Sequence, residues 1–169
     1  IRQTDVWLGY ATRGRTTSVA RGVSGIDGTI SAALGSALAR TESFWVFLGD
    51  LAFLHDVGAL AVVKELNAPL KLIVSDNRGG GIFRRLPIAK HPDAFESHFI
   101  TAQKEVDLAS AARGFGLAAR DVESFDELKS ALQWAAQETS PSVVVVKTNS
   151  EFDVAEERRV VSALQEALQ

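Results

Sequence analysis

Hard oxygen ligands occur at two successive places where the sequence passes from an apolar run into a polar turn. Asp50 follows the run FWVFLG, and Asn77 lies in the turn SDNRGGG that ends a second apolar run. A carboxylate, an amide oxygen and the carbonyls of a glycine-rich turn suit Mg²⁺, which favours octahedral oxygen coordination shared with substrate phosphates. Asp50 and Asn77 are 27 positions apart, a separation that fits one strand–helix–strand unit.

The elements that would position these ligands follow an alternating strand and helix order. Short, continuously apolar runs predict buried strands, as in parallel sheets, at residues 44–48, 70–74 and 143–147, with a weaker first strand at 17–20. Amphipathic patterns predict helices at residues 27–40, 57–66, 106–113 and 125–137. A last helix would bury the stripe Val154, Val161, Leu164 and Leu168. The order predicts a three-layer α/β/α sandwich around a mainly parallel sheet.

This fold would bring the two polar turns together. In open α/β sheets, ligands bind outside the carboxyl ends of the strands, so Asp50 and Asn77 are expected at one edge of the sheet. A simpler interpretation treats Asp50 as a helix N-cap and Asn77 with Gly79 as a tight turn. The connection at residues 79–104 is long for a compact domain, and loops of that length are usually functional or mobile.

Length and composition limit the possible classes of protein. The 169 residues, 46% of them hydrophobic, predict one domain over residues 1–169. A net charge of −3 argues against a nucleic-acid binder. The absence of cysteine is compatible with the cytoplasm, and no apolar stretch approaches the ~20 residues of a membrane span. The chain begins at Ile1 without an initiator Met, which predicts a piece of a longer protein.

Three motifs together resemble a known family. Gly49-Asp50 and the later turn at residues 76–79 resemble the metal–diphosphate motif of thiamine-diphosphate enzymes. More narrowly, RGVSGIDGT (21–29), GDLAFLHD (49–56) and GGGIF (79–83) resemble the C-terminal domain of the 2-succinyl-5-enolpyruvyl-6-hydroxy-3-cyclohexene-1-carboxylate (SEPHCHC) synthases, the MenD family of menaquinone biosynthesis. The resemblance covers nearly the whole chain and implies a thiamine-diphosphate-binding fold.

The resemblance implies a metal and a cofactor site. Asp50, Asn77 and the carbonyl of Gly79 would bind Mg²⁺ or Mn²⁺, which bridges the diphosphate of thiamine diphosphate to the protein. Ile26 would be the apolar wedge that holds the cofactor bent, although ordinary core packing is the simpler interpretation from sequence alone. The other implied cofactor-binding residues are Ser24, Gly25, Gly49, Leu51 and Gly80.

The resemblance also implies the reaction and the partners. The family decarboxylates 2-oxoglutarate and adds the product to isochorismate. Arg2 and Arg21 match positions that hold substrate carboxylates, and guanidinium groups bind carboxylates in bidentate fashion. Ile82 and Phe83 match apolar residues of the substrate pocket. The pyrimidine-binding domain would come from a partner subunit of a homodimer or homotetramer, so the chain alone is expected to be inactive.

The sequence departs from the family pattern at three places. Leu51 replaces the second glycine of the general motif but matches the synthase subgroup, and Asp76 replaces the usual first asparagine. We expect Asp76 to orient the turn rather than bind the metal. The family's Thr-Pro-His run is replaced at Thr101 by Thr-Ala-Gln, so no role is carried over to this segment.

Two other functions stay open at this point, and a third is disfavoured by the context of its motif. One is another thiamine-diphosphate enzyme, such as an acetolactate-synthase-like or oxalyl-decarboxylase-like protein, and a second is a non-catalytic phosphate-binding module. The third is a nicotinamide-binding domain, since GFGLAA (114–119) matches G-x-G-x-x-A. That match follows a predicted helix instead of a strand, so we reject it. His55, His91 and His98 show no metal-binding spacing, and His55 is expected at the surface.

Overall fold

A computed structural model describes residues 25–79, 81–100 and 105–168 as an α/β structure. The strands are β1 (Phe44–Gly49), β2 (Leu70–Asp76), β3 (Ala118–Val122) and β4 (Ser142–Lys147). The α-helices are α1 (Thr29–Leu38), α2 (Asp50–His55), α3 (Ala59–Glu65), α4 (Pro92–His98), α5 (Leu108–Gly114), α6 (Phe125–Gln137) and α7 (Ser150–Ala167). Two short 3₁₀ helices, Gly81–Arg85 and Pro87–Lys90, precede α4. The strand predicted at residues 17–20 lies outside the described residues.

The four described strands form one fully parallel sheet in the order β1-β2-β4-β3. Apolar side chains of β2 and β4 pack on both faces, which is why their sequences are continuously apolar rather than alternating. One face carries the larger core with α1, α2, α3 and α5, and α6 packs on the other. The predicted three-layer α/β/α architecture is therefore confirmed for the described residues.

Local sequence signals explain where several helices begin. Ser124 accepts a hydrogen bond from the Glu127 N–H at 3.3 Å, and the Glu127 carboxylate accepts one from the Glu123 N–H at 2.8 Å. The first bond is the N-cap half of a capping box at the start of α6, whereas Glu127 binds the N–H of the residue before the N-cap. The α7 helix begins with Asn149 as N-cap, whose side-chain oxygen accepts from two N–H groups of the first turn.

The structure departs from the sequence expectations in three places. None of the expected strands covers Ala118–Val122, where β3 forms as an edge strand paired only with β4 among the described strands. The connection after β2 is not irregular throughout, because the 3₁₀ helices and α4 lie within it. The predicted buried stripe of α7 holds only at Val154. Its later members Val161, Leu164 and Leu168 are 39%, 54% and 87% exposed, so this end of the stripe does not pack on the described core.

A buried lysine stabilises the end of the sheet opposite to the polar turns. Lys71, near the start of β2, is only 1% exposed. Its ammonium donates hydrogen bonds to the carbonyls of Glu138 and Ser140, both at 2.7 Å, in the connection between α6 and β4. Burial lowers the pKa of Lys71, and the charge of Glu138 opposes this effect. The lysine thus ties β2 to the connection that leads into β4.

We predict that Lys71→Met destabilises the protein. Methionine fills similar space but leaves two carbonyls without their donor, which should lower the free energy of unfolding by about 1–3 kcal/mol. Denaturant unfolding measures this loss, and Lys129→Met, an exposed lysine of α6, is the matched control. The assignment fails if both variants unfold at the same denaturant concentration.

Candidate metal and diphosphate site

The site is built around the buried carboxylate of Asp50. Strand β1 ends at Gly49, whose extended backbone turns directly into α2, and Asp50 is the first residue of that helix. The apolar side chains on both sides of this turn pack in the core, so Asp50 is only 4% exposed. A charge in this position needs compensating partners, since an isolated buried carboxylate is strongly unfavourable.

Backbone N–H groups supply part of that compensation. One Asp50 oxygen, Oδ2, accepts hydrogen bonds from the N–H groups of Gly79 at 2.7 Å and Asn77 at 3.2 Å. The other oxygen, Oδ1, accepts from the Leu51 N–H at 2.7 Å. The turn after β2 therefore wraps the carboxylate that follows β1, as expected for neighbouring parallel strands.

The hydrogen bonds do not fully offset the burial of this charge. Burial is the largest influence and raises the pKa of Asp50 above its ordinary value, and the nearby charge of Asp76 adds to the rise. The three backbone N–H groups lower the pKa and only partly oppose it. Ionised Asp50 is thus short of positive charge, which a bound cation would provide.

The side chain of Asn77 contains a second buried oxygen whose polarity is not compensated. Its side-chain oxygen is buried and accepts no hydrogen bond from any described residue. A buried amide oxygen without a donor is unfavourable and needs an explanation in a native structure. An undercompensated carboxylate and an unpartnered amide oxygen, joined through one turn, are oxygen donors of the kind Mg²⁺ and Mn²⁺ prefer. The residues present therefore fit a hard divalent cation.

Positive backbone angles shape the turn between these ligands. Arg78 has φ 62° and Gly79 has φ 89°, both in the left-handed region. Glycine adopts this conformation readily, whereas arginine does so at a cost of about 1–2 kcal/mol. The Gly79 N–H faces Asp50 as a result, and Gly79 itself is buried. Its carbonyl is the predicted third ligand.

Asp76 does not share the surroundings of Asp50. Its Oδ1 accepts from the Arg78 N–H at 3.0 Å, and its Oδ2 lies 2.9 Å from the Lys147 ammonium. These contacts agree with the expectation that Asp76 orients the turn. Sequence reasoning missed Lys147, since only the pairing of β2 with β4 brings it next to Asp76.

The start of α1 presents an exposed apolar side chain near an ordered turn. Ile26 is 41% exposed, so it is not part of the described core, and the simpler interpretation of core packing is wrong for Ile26.

Gly28 has φ 62° and forms the N-cap of α1. Asp56, which sequence reasoning also missed, accepts from the Ser31 N–H at 2.8 Å and so connects α1 to the segment after α2.

The predicted substrate-pocket residues lie on the first 3₁₀ helix. Ile82 and Phe83 are 36% and 40% exposed. Phe83 packs edge-on against Phe99 with ring centroids 6.3 Å apart. The next two residues form ion pairs: Arg84 with Glu96 and Glu151, and Arg85 with Glu157. These ion pairs hold the helix against α4 and α7.

Four predicted site residues lie outside the described residues: Arg2, Arg21, Ser24 and Gly80. Within the part of the chain that the structure describes, no group of three or more His, Cys, Asp or Glu residues could hold a metal. A cation at Asp50 would therefore depend on amide and carbonyl oxygens.

His55 is exposed, as expected. None of the described helices is long and apolar enough to cross a membrane.

Comparison with known proteins gives one matching family model and relatives that share most of this chain. The family model "Thiamine pyrophosphate enzyme, C-terminal TPP binding domain" matches residues 3–146. The chain is 37% identical over 152 residues to the SEPHCHC synthase of Chlorobium chlorochromatii, covering 90% of this chain and 26% of that protein. It is 33% identical over 168 residues to the synthase of Listeria monocytogenes, covering 99% of this chain and 29% of that protein. The chain thus spans little more than a quarter of these relatives.

Two solved structures share the fold. Benzoylformate decarboxylase from Polynucleobacter necessarius superposes with a TM-score of 0.61 at 23% identity, over 70% of this chain and 23% of that chain. The thiamine diphosphate-dependent 4-hydroxybenzoylformate decarboxylase of Rhodococcus jostii gives a TM-score of 0.63 at 22% identity, over 72% and 23%. At this identity the likeness shows the fold alone.

The raised pKa of Asp50 predicts a specific pH dependence of stability in the absence of metal. Between the unfolded value of 3.8 and the higher folded value, the folded state binds more protons than the unfolded state. The Asp50 contribution to the free energy of unfolding is therefore largest at low pH and falls as pH rises through this window. Unfolding of the native sequence and of Asp50→Asn, measured from about pH 3 to pH 7, isolates this contribution.

We expect the native sequence to lose stability relative to Asp50→Asn as pH rises, by at most about 1.4 kcal/mol per pH unit. A relative gain in stability over the same window would show that the three N–H groups outweigh burial, and would contradict the assignment.

Proposed function

The chain belongs to the thiamine pyrophosphate enzyme C-terminal TPP binding domain family, and we propose that it is the diphosphate-binding domain of a SEPHCHC synthase. The proposal treats residues 1–169 as one domain that binds thiamine diphosphate together with Mg²⁺ or Mn²⁺. The observation that carries it is the pairing of the undercompensated Asp50 carboxylate with the unpartnered Asn77 oxygen. The identity to synthases along nearly the whole chain supports the choice within the family.

The metal would be held by oxygen atoms from two strand ends. Asp50, Asn77 and the Gly79 carbonyl would bind it, and the metal would in turn bind the diphosphate. The remaining cofactor contacts would come from five further residues: Ser24, Gly25, Gly49, Leu51 and Gly80. A buried carboxylate fixed by three N–H groups needs little rearrangement on binding, which favours affinity.

The chemistry divides between cofactor and protein. Thiamine diphosphate, when bound, supplies the carbanion-stabilising chemistry that decarboxylation of 2-oxoglutarate and addition to isochorismate require. The protein binds and orients. The exposed Ile26 is available to contact the cofactor, and Ile82 with Phe83 would form apolar walls of the substrate pocket. Arg2 and Arg21 would bind the carboxylates of the two substrates, for which guanidinium is suited.

The remaining parts of the site would come from elsewhere in the assembly. The proposal places the pyrimidine-binding domain on a partner subunit of a cytoplasmic homodimer or homotetramer. The coverage of only about a quarter of the relatives is consistent with additional domains in the working enzyme.

The first test is turnover by the full-length protein that contains this chain. Loss of isochorismate should require 2-oxoglutarate, thiamine diphosphate and Mg²⁺ together. Changes near metal ligands alone cost about 10–100-fold, so Asp50→Ala, which removes a ligand, should lower the rate by at least about 100-fold. Asp126→Ala, an exposed carboxylate at the start of α6, is the matched control and should leave the rate unchanged.

Other outcomes distinguish the rival functions. Consumption of 2-oxoglutarate that does not depend on isochorismate would identify a related decarboxylase instead. Absence of turnover together with absence of Mg²⁺-dependent cofactor binding would leave only the fold, as for a phosphate-binding module.

We also predict that the 169-residue chain by itself has no synthase activity. The cofactor's pyrimidine ring would have no protein partner to activate it. Thiamine-diphosphate-dependent turnover by the purified chain would show that the partner domain is not required.

A further inference from the structure

A partly buried ion pair lies next to the turn after β2 (residues 76–79), on the side away from Asp50. Lys147, the last residue of β4, is directly opposite Asp76 in the β2–β4 register. Its ammonium lies 2.9 Å from Asp76 Oδ2 and 3.4 Å from Asp121 Oδ1 at the end of β3. Asp76 is 4% exposed. Asp76 therefore depends on Lys147 for charge compensation far more than a surface carboxylate would.

Hydrogen bonds of Asp76 connect this ion pair to the turn and to the residue after β4. The second Asp76 oxygen accepts from the Arg78 N–H at 3.0 Å, and the Asp76 carbonyl accepts from the Thr148 N–H at 2.8 Å. The N–H groups of Asn77 and Gly79 are bonded to Asp50 instead. Three successive N–H groups of the turn are thus fixed alternately by two buried carboxylates.

The arrangement explains how the turn keeps an unfavourable conformation. Arg78 has a left-handed backbone, which an arginine adopts only when its surroundings hold it there. The Asp76 carboxylate holds the Arg78 N–H, and Lys147 holds the carboxylate. The two proposed ligands, Asn77 and Gly79, flank Arg78 in the same turn, and their own N–H groups are held by Asp50.

We propose that Lys147 and Asp76 are positioning residues that set the affinity of this site for its divalent cation. Lys147 compensates the charge of Asp76, and Asp76 fixes the turn that presents Asn77 and Gly79. This inference rests on the function proposed above. It predicts that the hydrogen-bond acceptor at position 76 matters more than its charge, provided that no uncompensated carboxylate remains there.

The test measures the Mg²⁺ concentration that gives half-maximal thiamine diphosphate binding to the full-length protein, by calorimetry. Lys147→Met leaves the Asp76 carboxylate without its close cation, and we expect it to raise this concentration about tenfold or more. The double variant Asp76→Asn, Lys147→Met keeps an acceptor for the Arg78 N–H without a charge, and should return to within about threefold of the native value.

A second pair of variants keeps the test decisive if Lys147→Met folds poorly. Asp76→Ala removes the acceptor and the charge together, and should also raise the required Mg²⁺ concentration about tenfold. Asp76→Asn alone should remain near the native value. Alanine and asparagine both remove the charge of Asp76. The difference between their required Mg²⁺ concentrations therefore measures the effect of losing the hydrogen-bond acceptor.

Two controls separate positioning from general stability. Asp121→Asn removes the outer partner of Lys147 and should leave the Mg²⁺ requirement unchanged. Lys71→Met should lower the thermal midpoint without changing the Mg²⁺ requirement, because Lys71 is bonded at the opposite end of β2. A merely structural role for Lys147 would give the same pattern as Lys71.

The inference is overturned if Lys147→Met and Asp76→Ala bind at the native Mg²⁺ concentration. It is also overturned if Asp76→Asn fails to restore binding to Lys147→Met. A native protein that binds no thiamine diphosphate, or binds it without Mg²⁺, would contradict the proposed function itself. The two failures are therefore distinguishable.

Discussion

The burial of the Asp50 carboxylate is the constraint on which the rest of the site depends. The charge lies where β1 meets α2, among side chains that leave water on folding. It is tolerated because the turn after β2 directs N–H groups at it, and that turn can reach it only if β1 and β2 are adjacent and parallel. The remaining deficit of positive charge is what the proposed cation would supply.

Charges at the two ends of the sheet have different roles. At the amino end, Lys71 is bonded to carbonyls and serves the connection into β4. At the carboxyl end, Lys147 compensates a carboxylate whose other oxygen holds the metal-site turn. Only the second lysine is linked to the proposed metal ligands. The Lys71 contacts and the proposed metal site thus lie at opposite ends of the strands of one sheet.

Much of this architecture could be predicted from the sequence, and the failures have physical causes. Strands β2 and β4 are recognisable because burial on both faces makes them continuously apolar. Strand β1 is recognisable because its sequence is apolar throughout, although Phe47 is 57% exposed. Strand β3 is an edge strand with mostly exposed side chains, so it carries no such signal. The ligand pair Asp50 and Asn77 is visible as a spaced motif. The partner of Asp76 is not, because Lys147 lies 71 positions away and meets it only through strand register.

The proposed metal site is tested by a crystal structure of the full-length protein grown with thiamine diphosphate and Mn²⁺, with anomalous data collected for manganese. We expect one anomalous peak bonded to an Asp50 carboxylate oxygen, to Asn77 Oδ1 and to the Gly79 carbonyl, at about 2.0–2.3 Å as for a hard divalent cation. Manganese bound elsewhere, or cofactor bound with no metal at these three oxygens, would contradict it.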